Sequence, residues 1–135
     1  MKDISVKAVV LGFLADVGAT AIVVVVLVVA AFFMYPEAYA NEEQIEALFS
    51  TTGVLVFGLV IGLLCTMLGG FVAGSIAKKA HYLNSGLVGG LGVLLGVAFV
   101  GQSPLWYDVV TFITIIPAAM LGGHLAKGRH PAPLN

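Results

Sequence analysis

The chain has 135 residues, 60% of them hydrophobic and 10% charged, with a net charge of −1. Soluble globular domains carry about a quarter charged residues, so this balance excludes an ordinary soluble domain and points to a membrane class. The length allows one small bundle, residues 1–135 forming a single integral membrane domain, and no basic tract or basic-and-aromatic face suggests nucleic acid.

The first apolar run extends from Val6 to Tyr35 and predicts a membrane helix over 6–35. Its stretch from Ile22 to Val29 is almost wholly β-branched, which in water favours a strand. In lipid the backbone must satisfy its own hydrogen bonds, and that forces a helix. Lys2 and Lys7 at the head of the run and Ala38-Tyr39-Ala40 after it imitate a signal peptide. A signal core is roughly 7–15 apolar residues, about half of this run, so a spanning helix is expected instead of a cleaved leader. Pro36 then ends the helix.

The loop 36–51 is acidic. Asn41 followed by Gln44 reads as a capping box, and Glu42 and Glu43 suit a first helical turn, so a helix is expected to start near Asn41. It either runs on into the second span, 52–77, or breaks at Ser50-Thr51-Thr52-Gly53. A short basic turn, 78–83, leads to a third span over 84–101, with Asn84 or Ser85 expected as its cap. Ser103-Pro104 is a cap-plus-proline start for the fourth span, 104–126. Trp106 and Tyr107 read as interfacial aromatics at its outer edge. Pro117 is expected to kink this helix, because the Ile113 carbonyl loses its donor.

Charge orients these spans. All six basic residues (Lys2, Lys7, Lys78, Lys79, Lys127 and Arg129) fall before or at the very start of the first span, between the second and third, or after the fourth. Glu37, Glu42, Glu43, Glu46 and Asp108 fall in the alternate gaps. Cytoplasmic loops retain Lys and Arg, so four crossings with both termini cytoplasmic are expected. The fold class is therefore all-α, a four-helix transmembrane bundle of two antiparallel hairpins.

Met67-Leu68-Gly69-Gly70-Phe71-Val72-Ala73 and Met120-Leu121-Gly122-Gly123-His124-Leu125-Ala126 are alike and close the second and fourth spans. Two parallel hairpin repeats would place them at one depth; chance similarity in a chain rich in Gly and Leu is the alternative. Gly58, Gly62, Cys65 and Gly69, and likewise Ser85, Gly89, Gly92 and Gly96, repeat at helical spacing on one face. Small residues four apart let another backbone approach, so Gly58, Gly62, Gly69, Gly70, Gly74, Gly89, Gly92, Gly96 and Gly123 are the expected packing positions. The third span has a second small face, Gly86/Gly90, so it either sits centrally or meets another protomer.

Asp16 lies inside the first span, near Gly12 and Ala19. A carboxylate there costs a few kcal/mol and faces the interior, where it binds a proton or cation or serves as a structural anchor. Thr66, Ser75 and His124 are its candidate partners at matching depth. His81 and His130 read as solvated interfacial residues, and no histidine has metal-ligand spacing, so no metal is expected. Cys65 is the lone cysteine and excludes an intrachain disulfide. No nucleophile elbow, phosphate loop or catalytic carboxylate pair is present, so neither enzymatic activity nor a cofactor is expected.

The segment Gly69-Gly70-Phe71-Val72-Ala73-Gly74-Ser75-Ile76-Ala77-Lys78-Lys79, with Asn84-Ser85-Gly86-Leu87-Val88-Gly89-Gly90 after it, resembles the central signature of small uncharacterised bacterial proteins with four transmembrane helices. The opening Gly12-Phe13-Leu14-Ala15-Asp16-Val17-Gly18 is similar to their Asp-containing first span. The resemblance implies a multi-pass protein of the bacterial inner membrane and carries no activity with it. The expected function is a non-enzymatic structural or interaction module, whose partners are the lipid bilayer and another copy or membrane protein. The alternative is a small transporter or channel with a proton or cation site at Asp16. A polar cavity reaching Asp16 favours the second; a carboxylate sealed against Thr, Ser or backbone favours the first.

Overall fold

The computed structural model describes residues 4–77 and 79–128, together with all of their side chains except that of Ala38. Lys2, Lys78, Arg129 and His130, which carry part of the charge pattern, lie outside the described residues. Among the described residues the chain is all-helical, with no strand. The elements are α1 (Val6–Met34), a 3-10 helix (Pro36–Ala40), α2 (Glu42–Phe49), α3 (Thr52–Ile76), α4 (His81–Val97) and α5 (Leu105–Lys127).

Three of these helices, α1, α3 and α5, are long and apolar enough to cross a membrane. At about 1.5 Å per residue, the 29 residues of α1, 25 of α3 and 23 of α5 each exceed the roughly 30 Å of a bilayer core. The 17 residues of α4 fall short of it. Tight turns continue α4: Ala98, Phe99 and Val100 donate to the carbonyls of Leu95, Gly96 and Val97. Such three-residue bonds wind the last turn more tightly and extend the apolar rod.

Local chemistry sets most boundaries. Ser5 caps α1 by accepting from the Ala8 N–H at 3.3 Å, and Tyr35 and Pro36 end it. Asn41 accepts from Gln44 N–H at 2.9 Å and starts α2, which breaks from α3 at Ser50 and Thr51. Two expected caps are corrected. Asn84 and Ser85 do not start α4; they lie a turn inside it, fully buried. The helix begins at His81 because Ala80 adopts a left-handed conformation, φ 50°, that reverses the chain within a few residues. Ser103 is not the cap of α5 either. Pro104 is, with no side-chain bond; its carbonyl accepts from Tyr107 at 2.9 Å. The turn is closed by Asp108 Oδ2, which accepts from Gly101 N–H at 3.2 Å. Pro117 lies inside α5 as expected.

The packing centre is α3, not the third span. It touches α1, α5 and α4, and its closest partner is α5, from the other hairpin. Glycine makes this possible. A Cβ built on Gly70 would collide with the Ala119 carbonyl, and one on Gly122 with the Met67 carbonyl. The two Met-Leu-Gly-Gly stretches thus pack directly against each other. The likeness does not extend to the outer pair: α4 packs on α3, whereas α1 does not pack on α5.

The described bases Lys7, Lys79 and Lys127 collect at the end where α1 and α4 start and α3 and α5 finish. Glu37, Glu42, Glu43, Glu46 and Asp108 belong to the opposite end. We refer to these as the basic and acidic ends.

Candidate functional site

The site begins with a close approach of α1 to α3. A Cβ on Gly12 would lie 2.6 Å from Gly69 O, and one on Gly69 would lie 2.6 Å from Asp16 Cβ. Two missing side chains therefore let the backbones meet, and Asp16 is pressed against α3. One turn along, Thr66 Oγ1 donates to Asp16 Oδ1 at 3.2 Å, in a buried setting. Asp16 is 6% exposed. Its second oxygen, Oδ2, has no hydrogen-bond partner among the described residues, and no described cation pairs with the carboxylate.

Beyond this contact the helices part. A cleft of about 540 Å³ extends from Asp16 and Thr66 toward the acidic end, bounded by α1, α3, the end of α4 and α5. Its walls are apolar apart from Asp16, Thr20, Thr66, Tyr107 and Thr111. Thr111 Oγ1 is buried and has no hydrogen-bond partner. A buried hydroxyl without a partner costs roughly 1–3 kcal/mol, so this group calls for water or a ligand. A second apolar groove of about 470 Å³, between α1, α2 and the start of α3, shares Val24, Gly58 and Tyr107 with the first.

No known protein family, curated protein or solved structure matches the chain.

Of the candidate partners of Asp16, the structure brings only Thr66 to it. Ser75 lies nine residues further along α3, about 13 Å away along the helix axis. His124 is exposed and hydrogen-bonded to the Tyr82 hydroxyl through Nδ1 at 2.5 Å, while Lys127 Nζ sits 5.6 Å from the centre of the Tyr82 ring. These three tie α4 to α5 at the basic end. His81 is not a solvated residue: it is half-buried, and its Nδ1–H donates to Gly74 O at 2.6 Å.

The glycines separate into two groups. Gly69, Gly70, Gly74, Gly89, Gly92, Gly96 and Gly123 all have a neighbour within 3.0 Å of where a methyl would stand, so each is a contact point between helices. Gly58 and Gly62 are corrected: nothing lies within 4 Å of a Cβ at either. They widen the cleft instead of closing a seam, because α1 has already diverged from α3 at their level. Gly12 and Gly122 prove to be among the tightest contacts.

Sequence reasoning missed Thr20, Tyr107 and Thr111 in the cleft, and the long-range roles of Asn84 and Ser85. Asn84 Oδ1 accepts from Ser5 N–H at 2.7 Å, while its amide donates to the carbonyls of Lys79 and Ala80. Ser85 Oγ donates to Gly70 O at 2.7 Å. A signal for the cleft did exist. Asp16 and Thr20 are four residues apart on α1, as are Tyr107 and Thr111 on α5. That spacing aligns each pair on one helix face.

Proposed function

We propose that the chain is a non-enzymatic, four-crossing membrane protein that binds a small ligand in this cleft and passes it across the bilayer, with Asp16 as its polar anchor. The observation that carries the reading is the cleft that ends on a buried carboxylate with one unpartnered oxygen. An intramembrane carboxylate that is neither paired nor sealed is expensive to keep, and such groups mark substrate or ion pathways. The described charges support both termini on the cytosolic side, which puts the acidic end and the mouth of the cleft on the far side. The resemblance of the glycine motif to bacterial four-span proteins supports an inner-membrane location. Lipid is then the partner of the exposed apolar faces.

The test is flux in proteoliposomes, with Asp16→Asn compared against wild type. Asn keeps the size of Asp and an oxygen for Thr66, so assembly is expected to survive while flux is lost. Equal flux in both proteins, or none in wild type, overturns the reading.

A second reading is a structural module that self-associates. Gly90 favours it, since nothing lies within 4 Å of a Cβ there and it lines an apolar groove with Val9, Val10, Leu87 and Leu94. This face of α4 would admit another backbone. If it does, Gly90→Leu dissolves an oligomer seen by cross-linking in native membranes; an unchanged cross-linking pattern rules it out.

A further inference from the structure

We infer that the ligand of the cleft is a monovalent organic cation with an apolar body, entering sideways from the membrane. This rests on the reading of the cleft as a binding site and names what it takes.

The charge follows from the floor. Asp16 is the sole ionisable carboxylate in the lining, and no described Lys, Arg or His neutralises it. A positive ligand supplies the missing partner for Oδ2. Bare divalent ions fit poorly, because calcium takes about 6–8 oxygen ligands and magnesium a near-octahedral shell. Among the described residues no three His, Cys, Asp or Glu side chains gather to hold a metal. The hydroxyls of Thr20, Thr66 and Thr111 are too few to complete such a shell.

The apolar body follows from the walls and the size. About 540 Å³ lies within the range of roughly 300–1,000 Å³ seen for small organic ligands. Phe13, Phe99 and Tyr107 contribute ring surface, and aromatic faces attract organic cations most strongly where water is excluded. A neutral hydrocarbon would fill the same walls but leave the charge of the Asp16 carboxylate unanswered.

The route follows from the rim. The lining residues that are themselves well exposed include Val17 and Val24 on α1, and Leu95 and Phe99 at the end of α4. The opening thus lies between those two helices, on a surface clad in valine, leucine and phenylalanine. Such a portal suits a solute that partitions into lipid. Glu42, Glu43, Glu46 and Asp108 at the same end raise the local concentration of cations.

The test is equilibrium binding of labelled tetraphenylphosphonium to the full chain purified in detergent. Saturable binding is expected, with no competition from neutral triphenylphosphine oxide. Asp16→Asn is expected to weaken it about tenfold or more, because the coulombic attraction of the carboxylate for the phosphonium charge is removed, while Asp16→Glu retains it. Gly62→Leu fills open space and is expected to abolish binding with an unchanged elution profile and helix content. Competition by the oxide as strong as by the phosphonium itself, or wild-type affinity in Asp16→Asn, overturns the cationic assignment and leaves the cleft as a neutral-ligand site. Absence of saturable phosphonium binding to wild type also overturns it. If Gly62→Leu in addition leaves proteoliposome flux untouched, the cleft reading falls as well. The oxide competition uses the unmodified chain and so decides the charge even if Asp16→Asn fails to fold.

Discussion

Gly62 and Gly70 sit on the same helix and look interchangeable in the sequence, yet their replacement by alanine should have opposite outcomes. At either site the added methyl removes unfolded-state freedom and favours the helix by roughly 0.5–1 kcal/mol. At Gly62 nothing lies within 4 Å, so that gain stands alone. At Gly70 the methyl would meet the backbone of Ala119, its carbonyl oxygen first, with the carbonyl carbon at 2.7 Å and Cα at 2.8 Å. Ordinary contact begins near 3.4 Å, so α5 must retreat by at least the difference between 3.4 Å and 2.7 Å. No side-chain rotation relieves it, because every obstructing atom is backbone. Overpacking of this kind costs about 1–3 kcal/mol, and a rigid obstacle puts it toward the upper end. The two variants should therefore differ by about 1–3 kcal/mol, roughly 5- to 150-fold in the unfolding constant, with Gly62→Ala the more stable. SDS titration in mixed micelles, followed by the fluorescence of the single Trp106 or by far-UV circular dichroism, measures the difference. Equal midpoints, or a more stable Gly70→Ala, would refute the close α3–α5 seam.

Ala80→Gly should stabilise the chain by about 1 kcal/mol in the same titration, because alanine at φ 50° carries the steric cost of the left-handed region and glycine does not. Asn84→Ala should destabilise by about 1–3 kcal/mol, since Ser5 N–H and the carbonyls of Lys79 and Ala80 lose a shared partner; Asn84→Asp should recover only the contact to Ser5. Thr66→Val should cost roughly 0.5–2 kcal/mol, the range of interhelical hydrogen bonds in membranes, and a larger loss would mean that Thr66 does more than hold Asp16. Gly69→Ala should separate Asp16 from Thr66 by forcing α1 outward, and an infrared carboxyl band that shifts as it does in Thr66→Val checks this.

The parts of the fold that were legible in the sequence are those set by neighbours along the chain. Val6–Met34 and Thr52–Ile76 match the apolar runs to within a residue, because Pro36 and the polar Ser50-Thr51 break act locally. The Asn41 cap was readable for the same reason. Asn84 was not. Its sequence context suits a helix start, but its oxygen is taken by Ser5 N–H, a residue 79 positions away, and the helix starts instead where Ala80 reverses the chain. The site was half legible. Asp16 stood out as the one carboxylate within an apolar span, and Thr66 was among its candidate partners. Gly58 and Gly62 could not be told from Gly69 and Gly70, since spacing reports only which face a residue is on and not how far away the next helix lies.

That distance is nevertheless set by residue size along α1. From Ala8 to Asp16 its inward residues are small or short, Ala8, Val9, Gly12 and Asp16, and these are the buried ones. Opposite them stand Gly69 and Ala73, so the two backbones come close enough for Gly12 and Gly69 to touch. From Ile22 to Val29 the helix is β-branched and stiff at χ1, and no small residue recurs to admit a partner. A tight contact at one end and bulk at the other favour divergence of the two helices. On α3 the open glycines Gly58 and Gly62 line this gap, removing side chains that would otherwise have filled it. Between α1 and α3 small residues thus do two opposite things: at the basic end they bring the helices together, and toward the acidic end they hollow the space that leads down to Asp16. A chain selected for packing alone would gain by filling Gly58 and Gly62, and so the decisive comparison is whether Gly58→Ala and Gly62→Ala raise stability while lowering flux. Stability and flux rising together, or neither changing, would leave the cleft without a purpose.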